Sequence, residues 1–253
     1  MSVPFLLRKW AVDWLSSHNP SVCEEIFPQD FSLSIGTHSF GSRDAYVDAT
    51  MGQLQQFPGL MITVHELIVN EGWGAMHLSE HGASLKHGAA LASWNVVALF
   101  EIVDGRIARV FAEEDYAARR RQLSGGEPDL VGIPAVAPWD VPIGFPVPQA
   151  EATVREWVET GMPGAHGIVK DDADRVSEYA EVMRPTRGEL DVVMSSGSAV
   201  AFHGRLFGTS EAEIPGIMSI AGLVHVSGGA VTKGRVVTDR LGALQSFKNS
   251  AAP

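Results

Sequence analysis

Residues 90–115 read ALASWNVVALFEIVDGRIARVFAEED, and residues 214–239 read IPGIMSIAGLVHVSGGAVTKGRVVTD. Laid over one another, the two stretches share a plan without a gap. Each is a long apolar run, a glycine-bearing corner, a return run and an aspartate. Gly105-Arg106-Ile107 falls on Gly229-Ala230-Val231, Arg109 on Lys233 and Asp115 on Asp239; going backwards, Phe100 falls on Val224 and Trp94 on Met218. Ala90 to Ile102 lacks polar alternation, which predicts a strand buried on both faces. Val103-Asp104-Gly105 turns it back. An internal match of this kind predicts two copies of one unit in a single chain.

Working outward, the two copies keep similar plans. In the first, Phe5 to Ser16 has helical spacing, with Leu6, Trp10 and Trp14 on one face. A second helix is predicted from Ser42 to Leu54, capped by Ser42 and favoured by Asp44 in its first turn. Met61 to Val69, Trp73 to His81, Ala90 to Ile102 and Arg106 to Glu114 read as strands, and Asp115 opens a short helix ending near Leu123. In the second copy, Glu151 to Glu159 and Asp172 to Met183 read as helices. Leu190 to Met194, Ala199 to Phe207, Ile217 to Val226 and Val231 to Thr238 read as strands, and Asp239 opens another helix. The second copy is about a dozen residues shorter at its front and lacks most of what Glu24 to Phe40 supplies.

Between the copies, Pro128, Pro134, Pro138, Pro142, Pro146 and Pro148 favour extended backbone. The segment also carries Leu130, Ile133, Val136, Trp139 and Phe145, which predicts a strap packed on the body. The expected organisation is a first unit over 1–123, a linker over 124–149 and a second unit over 150–253.

The net charge is −11, which argues against binding nucleic acid or an anionic membrane surface, since both select Lys and Arg. The single cysteine, Cys23, rules out an intrachain disulfide and suits a reducing cytoplasm. Nothing near Cys23 would lower its pKa, so it reads as a packing residue. Arg8 and Lys9 are followed by no long apolar run, which is not the pattern of a signal peptide.

The order helix, helix, curved antiparallel sheet, aspartate, short helix resembles the nuclear transport factor 2-like superfamily. The similarity is greatest to the SnoaL-like polyketide cyclases and the limonene-epoxide-hydrolase group. The residues that carry it are Trp14, Ile26-Phe27 with Asp30, Gly41 to Tyr46, Glu71-Gly72, Phe100, Asp104 to Ile107, Asp115 and Gln122-Leu123. The resemblance spans residues 5 to 123 well and 150 to 248 more weakly. It implies an α+β chain of two cone-shaped units, each with helices on the concave face of a curved sheet. It also implies that convex sheet faces pair, here as an intrachain pseudo-dimer in a monomer or weak homo-oligomer. The fold hosts cyclases, hydrolases, dehydratases, isomerases and plain binders, so chemistry rests on the site.

Side chains alternate along strands. The expected pocket face of the second long strand carries His77, Ser79 and His81. The next strand offers Trp94, Val96 and Ala98, and the last offers Val110, Ala112 and Glu114. Trp14 and Ile35 complete the predicted substrate wall. Such an apolar chamber suits a polyketide- or terpenoid-sized ligand. Where the epoxide hydrolases of this fold need carboxylates the chain has Ser79 and Ala112, and where ketosteroid isomerases place a base it has Ser34, Ile35 and Gly36. Histidine acid–base work remains, with His77 or His81 as the base and Glu114 or Asp115 as its partner. Each of these residues also has a structural reading: a hydrogen-bonded strand histidine, a solvated strand-end glutamate, or a helix N-cap for Asp115 and Asp239.

His77 and His81, about 13 Å apart along a strand, have no third ligand in view, so no metal is expected. The second copy has Ala201, His203 and Arg205 on the matching strand, and its pocket is expected to be small or blocked. The functional expectation is a cofactor-free cyclase, isomerase or dehydratase acting on a hydrophobic small molecule. Epoxide opening and non-catalytic binding are the alternatives.

Overall fold

The computed structural model describes residues 1–164, 167–172 and 182–251. Helix α1 (Val3–Arg8) continues into a wider π-helical winding over Lys9–Ser16, seen in the bonds from Ser17 N to Val12 O and from Asn19 N to Trp14 O. The short α2 (Cys23–Ile26), strands β1 (Ser32–Ile35) and β2 (His38–Phe40) and helix α3 (Arg43–Gln56) follow. Then come β3 (Met61–Val69), β4 (Trp73–Ser84), β5 (Ala90–Val103), β6 (Arg106–Glu114) and α4 (Tyr116–Leu123). The second unit consists of α5 (Pro148–Glu159), β7 (Ile168–Lys170), β8 (Arg184–Ser196), β9 (Ala199–Thr209), β10 (Pro215–Ser227), β11 (Ala230–Thr238) and α6 (Arg240–Ala251). The helix expected from Asp172 to Met183 falls largely outside the described residues.

The chain is α+β, with two separate sheets. The first runs β2-β1-β6-β5-β4-β3 and the second β7-β11-β10-β9-β8. Their registers repeat. Val96 pairs with Glu114 as Ile220 pairs with Thr238, and Phe100 pairs with Val110 as Val224 pairs with Gly234. Irregularities recur at matching places, at Glu101/Ile102 and His225/Val226, and again at Val64/Glu66 and Leu190/Val192. β1 joins β6 in parallel, as β7 joins β11. The aspartates match as well. Asp115 Oδ1 caps α4 by accepting from Ala118 N at 3.0 Å, and Asp239 Oδ1 accepts from Gly242 N at 2.8 Å. These shared irregularities have no reason to coincide unless one unit was copied into the other, because each bulge must be encoded by its own strand.

The sheets meet through their convex faces. Ile68, Ala75, Val97 and Leu99 of the first pack with Met194, Ala201, Ala221, Leu223 and Val237 of the second. Polar ties rim this shared core. His203 bridges Glu113 and Asp191 at 3.1 Å each, His225 meets Glu66 at 2.7 Å, and Asn70 donates to Ser195 O at 3.1 Å. Burial alone would lower the His203 pKa, but its two carboxylate partners outweigh that and raise it to about 9. At one edge, Arg240 is buried against Asp115, Asp172 and Asp171.

The strap between the units departs from expectation. Its backbone is pinned, with Ala135 N donating to Val64 O and Gly144 N to Val69 O, and Trp139 and Val141 pack on the first core. Yet Leu130, Ile133, Val136 and Phe145 are 79 to 97% exposed. The backbone hydrogen bonds hold the extended chain while these four side chains point outward.

Candidate active site

The concave face of the first sheet holds a chamber of about 230 Å³. Its wall is set by register. Glu80 sits opposite Trp94, Leu78 opposite Val96 and Met76 opposite Ala98, while Ala98 sits opposite Ala112 and Val96 opposite Glu114. Val96, Ala98, Val110 and Ala112 line the chamber, with Leu33 and Ile35 from β1. Trp10 and Leu15 close it from the N-terminal helix, and Tyr46, Ala49, Thr50 and Gln53 close it from α3. The π-helical winding places Trp10 and Trp14 so that both indoles donate to Tyr46 Oη, at 3.1 and 3.3 Å. Gly74 lets α1 approach, since a Cβ there would stand 2.4 Å from Leu7 Cδ1.

Two carboxyl groups enter this apolar space. Glu114 Oε2 accepts from Trp94 Nε1 at 2.9 Å, and Glu80 Oε2 accepts from Gln53 Nε2 at 2.7 Å. The Arg119 guanidinium lies 5.0 Å from the Trp94 ring and 4.4 Å from the Tyr116 ring, with Nη1 3.5 Å from Gln53 Oε1. Burial raises the Glu80 pKa well above the usual carboxylate range and the nearby Glu114 charge raises it further, against the opposing pull of Arg119 and Gln53. Burial also raises Glu114, but Arg119, the Trp94 N–H and the Tyr116 hydroxyl oppose it by stabilising its charged form. Burial favours the protonated form of both groups, and the Glu114 charge has more stabilising neighbours, the Trp94 N–H and the Tyr116 hydroxyl, than the Glu80 charge, which has Gln53.

His77, Ser79 and His81 are not in this chamber, which corrects the sequence expectation. They stand opposite Val97, Asn95 and Ser93, on the convex side of the sheet. The five-residue connection from Ser84 to Ala90, with Gly88 and Ala89 both at positive φ, sets even-numbered β4 residues against even-numbered β5 residues. A one-residue slip moves every side chain to the other face. His77 Nε2 meets Asn95 Oδ1 at 3.0 Å, and burial drives its pKa down to about 3. His81 Nε2 meets Thr63 Oγ1 at 3.0 Å. Ser79 Oγ lies 2.8 Å from His65 Nε2, and His65 Nδ1 lies 2.9 Å from Ile133 O. That is the hydrogen-bond order of an activated serine, but Ser79 is buried and the strap covers His65, so the pair ties the strap to the sheet.

Asp115 lies at the unit boundary as a helix cap and partner of Arg240, away from the chamber. Trp14 and Trp94, both expected in the wall, are buried behind it, and act on the chamber through Tyr46 and Glu114 respectively. Cys23 is buried, with its thiol pushed up to about 12 by burial. Glu80 stands where a one-residue shift of the expected β4 register puts it, in place of the histidines, whereas Gln53, Tyr116 and Arg119 were missed. The alternation of Met76, Leu78 and Glu80 with His77, Ser79 and His81 held the signal, because the apolar set marks the enclosed face.

The second unit corrects another expectation. Its concave side holds a wider cavity, about 800 Å³, with Met162, Leu206 and Met218 on one side and Asp171, Asp172, Thr238 and Arg240 on the other. His203 and Arg205 do not line it. Met218 stands where the first unit has Trp94, so the larger indole and its bond to a carboxylate are lacking there.

Among the described residues, no three His, Cys, Asp or Glu side chains gather as a metal set. Nor is any described helix long and apolar enough to cross a membrane.

Residues 7–110 match the sequence model of the SnoaL-like domain family, so the first unit is a SnoaL-like domain of the nuclear transport factor 2-like fold. No curated protein matches the chain. Among solved structures, TsrD from Streptomyces laurentii is similar at 15% identity and a TM-score of 0.45, over 49% of this chain and 96% of its own. IdmH from Streptomyces antibioticus is similar at 15% identity and 0.43, over 48% and 99%. A SnoaL-like polyketide cyclase from Agrobacterium tumefaciens is similar at 16% identity and 0.42, over 49% and 99%.

Proposed function

We propose that the first unit is an acid–base enzyme for a hydrophobic small molecule, with Glu114 as general base and Glu80 as general acid. The observation that carries this reading is the pair itself: two buried carboxyl groups in one apolar chamber, both in the field of Arg119, with the Glu114 charge further stabilised by the Trp94 N–H and the Tyr116 hydroxyl. Burying a carboxylate is costly, and neither glutamate has a cation within ion-pair distance among the described residues, unlike the aspartates around Arg240. Raised pKa values bring such groups toward the operating pH, where proton transfer is most effective.

In this reading the ionised Glu114 takes a proton from carbon next to a carbonyl, and protonated Glu80 gives its proton to the developing oxyanion. The resulting enol can then add through carbon to a second carbonyl of the same molecule, whose oxygen takes the Glu114 proton; take that proton at another carbon of a conjugated system; or expel a β-hydroxyl that leaves as water with it; in each case the enol O–H returns its proton to Glu80. Trp94 and Arg119 hold Glu114 in place, and Gln53 holds Glu80. The apolar wall keeps water from competing for both protons.

Epoxide opening is a second reading, favoured by the guanidinium stacked beside the two carboxyl groups. There Glu114 would take a proton from water as its oxygen attacks carbon, while the Glu80 proton passes to the epoxide oxygen.

The test is a panel of hydrophobic β-dicarbonyl compounds and terpenoid epoxides incubated in D₂O or H₂¹⁸O and followed by mass spectrometry. Carbon-bound deuterium with the first class supports proton abstraction, and ¹⁸O-diol with the second supports epoxide opening. In either case Glu114→Gln and Glu80→Gln should each cut turnover by about 10²–10⁴-fold, while His77→Gln leaves it unchanged. Ligand binding without turnover, unaffected by either glutamate replacement, would make the chamber a binding site only.

A further inference from the structure

A second cleft, of about 650 Å³, opens between the units and shares Ile35 and Tyr116 with the chamber. It adjoins the chamber at these two residues, in the position of a vestibule. Lys86 and His87 border it from the β4–β5 connection, and Arg119 and Arg120 from α4. His38 joins them from β2, and Asp239 is the one carboxylate on its border among the described residues. Burial raises the Asp239 pKa.

This grouping runs against the charge of the chain, which is −11 overall. Elsewhere Arg43, Arg109, Arg121, Arg184, Arg187, Arg205 and Arg240 are committed to carboxylates. Lys86 and Arg120 have no ion-pair partner within 4 Å among the described residues. His87 is held through Nδ1 by Ser84 Oγ at 2.9 Å, which leaves Nε2 uncommitted. Cations left unpaired at the mouth of a cavity focus the potential there and favour an anion.

The chamber's size bears on the same point. At about 230 Å³ it falls below the roughly 300–1,000 Å³ usual for ligand pockets, so a larger molecule must extend into the vestibule.

We propose that the substrate is amphiphilic: an apolar ring system in the chamber, and an oxyanion, carboxylate or phosphate, held in the vestibule by Lys86 and Arg120. This rests on the reading of the chamber as the substrate site. It adds that recognition of the anionic end is separate from chemistry at Glu80 and Glu114.

Isothermal titration calorimetry of the full chain tests it with three probes of one skeleton: 4-cyclohexylbutanoate, 4-cyclohexylbutan-1-ol and 4-cyclohexylbutyl phosphate. At low salt the carboxylate should bind at least tenfold more tightly than the alcohol. In Lys86→Gln/Arg120→Gln that preference should fall below threefold, with the alcohol's Kd unchanged. The preference should also shrink in 0.5 M NaCl, as screening requires. A phosphate that binds tighter still assigns the anion as a phosphate ester, and one no tighter than the carboxylate assigns it as a carboxylic acid. Equal binding of alcohol and acid, an unaltered preference in the double variant, or no binding of any probe would each overturn the proposal. Failure of the acid–base reading shows separately, as turnover that survives Glu114→Gln while head-group preference persists.

Discussion

Replacing Arg240 with methionine tests how the two units are held. The guanidinium is 2% exposed and faces Asp115, itself fully buried, with Asp172 Oδ1 at 2.6 Å from Nη1 and Asp171 Oδ2 at 3.9 Å from Nε. Methionine fills similar volume but leaves three carboxylates facing one another. Removing one partner of a buried ionic set costs about 3–5 kcal/mol, because the remaining charge stays desolvated. Other contacts survive here. Arg121 Nε remains 3.2 Å from Asp172, Thr238 N and Oγ1 still donate to Asp171, and Ala118 N still donates to Asp115. The loss should therefore sit near the lower end, about 3 kcal/mol at pH 7.5, read by urea unfolding. The sign with pH follows from burial, which raises Asp115 and takes Asp171 up to about 7. A carboxyl raised on folding favours the folded state below its unfolded pKa and loses that advantage as pH climbs through the folded value. Without Arg240 both values rise further, so the gap between variant and parent should widen from pH 5 to pH 7.5. A loss under 1 kcal/mol, or a gap independent of pH, would refute the reasoning.

Three further outcomes follow from particular contacts. Glu80→Gln should unfold at higher urea than the parent at pH 8 and at the same urea below pH 4, since only the ionised parent pays for burial; equal midpoints at both pH values would show that Glu80 is not desolvated. Ser79→Ala removes the bond to His65 and should cost about 1 kcal/mol while speeding proteolysis within 130–147 and sparing turnover. Leu99→Ala, fully buried among Ala75, Ala201 and Ala221, should lose about 3–4 kcal/mol because those neighbours are too short to fill the space; a loss under 1 kcal/mol would mean the convex faces are not packed there.

The duplication was legible because strand, corner and aspartate recur without a gap, and the repeated bulges follow the same spacing. The chamber's walls on β5 and β6 were legible too: Val96, Ala98, Val110, Ala112 and Glu114 all line it. The face of β4 was not, because both faces of that strand are buried and polar residues fall on the convex side, where the partner unit and the strap supply hydrogen bonds. Only the parity of the connection from Ser84 to Ala90 decides between the faces, and loop conformation is not written in hydrophobic alternation. Gln53, Tyr116 and Arg119 come from helices whose docking depends on the finished sheet. The wide cavity of the second unit was hidden for the same reason: a shorter front removes chain without dictating how far the rest closes.

The acid–base function requires that Glu80 and Glu114 both be raised by burial in the first unit's chamber. Carbon-detected NMR of protein labelled at the glutamate carboxyl carbon reads it directly, with Glu80→Gln and Glu114→Gln assigning the resonances. Besides Glu113, which burial takes up to about 7, Glu80 and Glu114 should titrate above the ordinary glutamate range, Glu80 the higher, and Glu114→Gln should bring Glu80 down by removing the neighbouring charge. Both groups titrating near the ordinary 4.5, or Glu80 indifferent to Glu114→Gln, would contradict it.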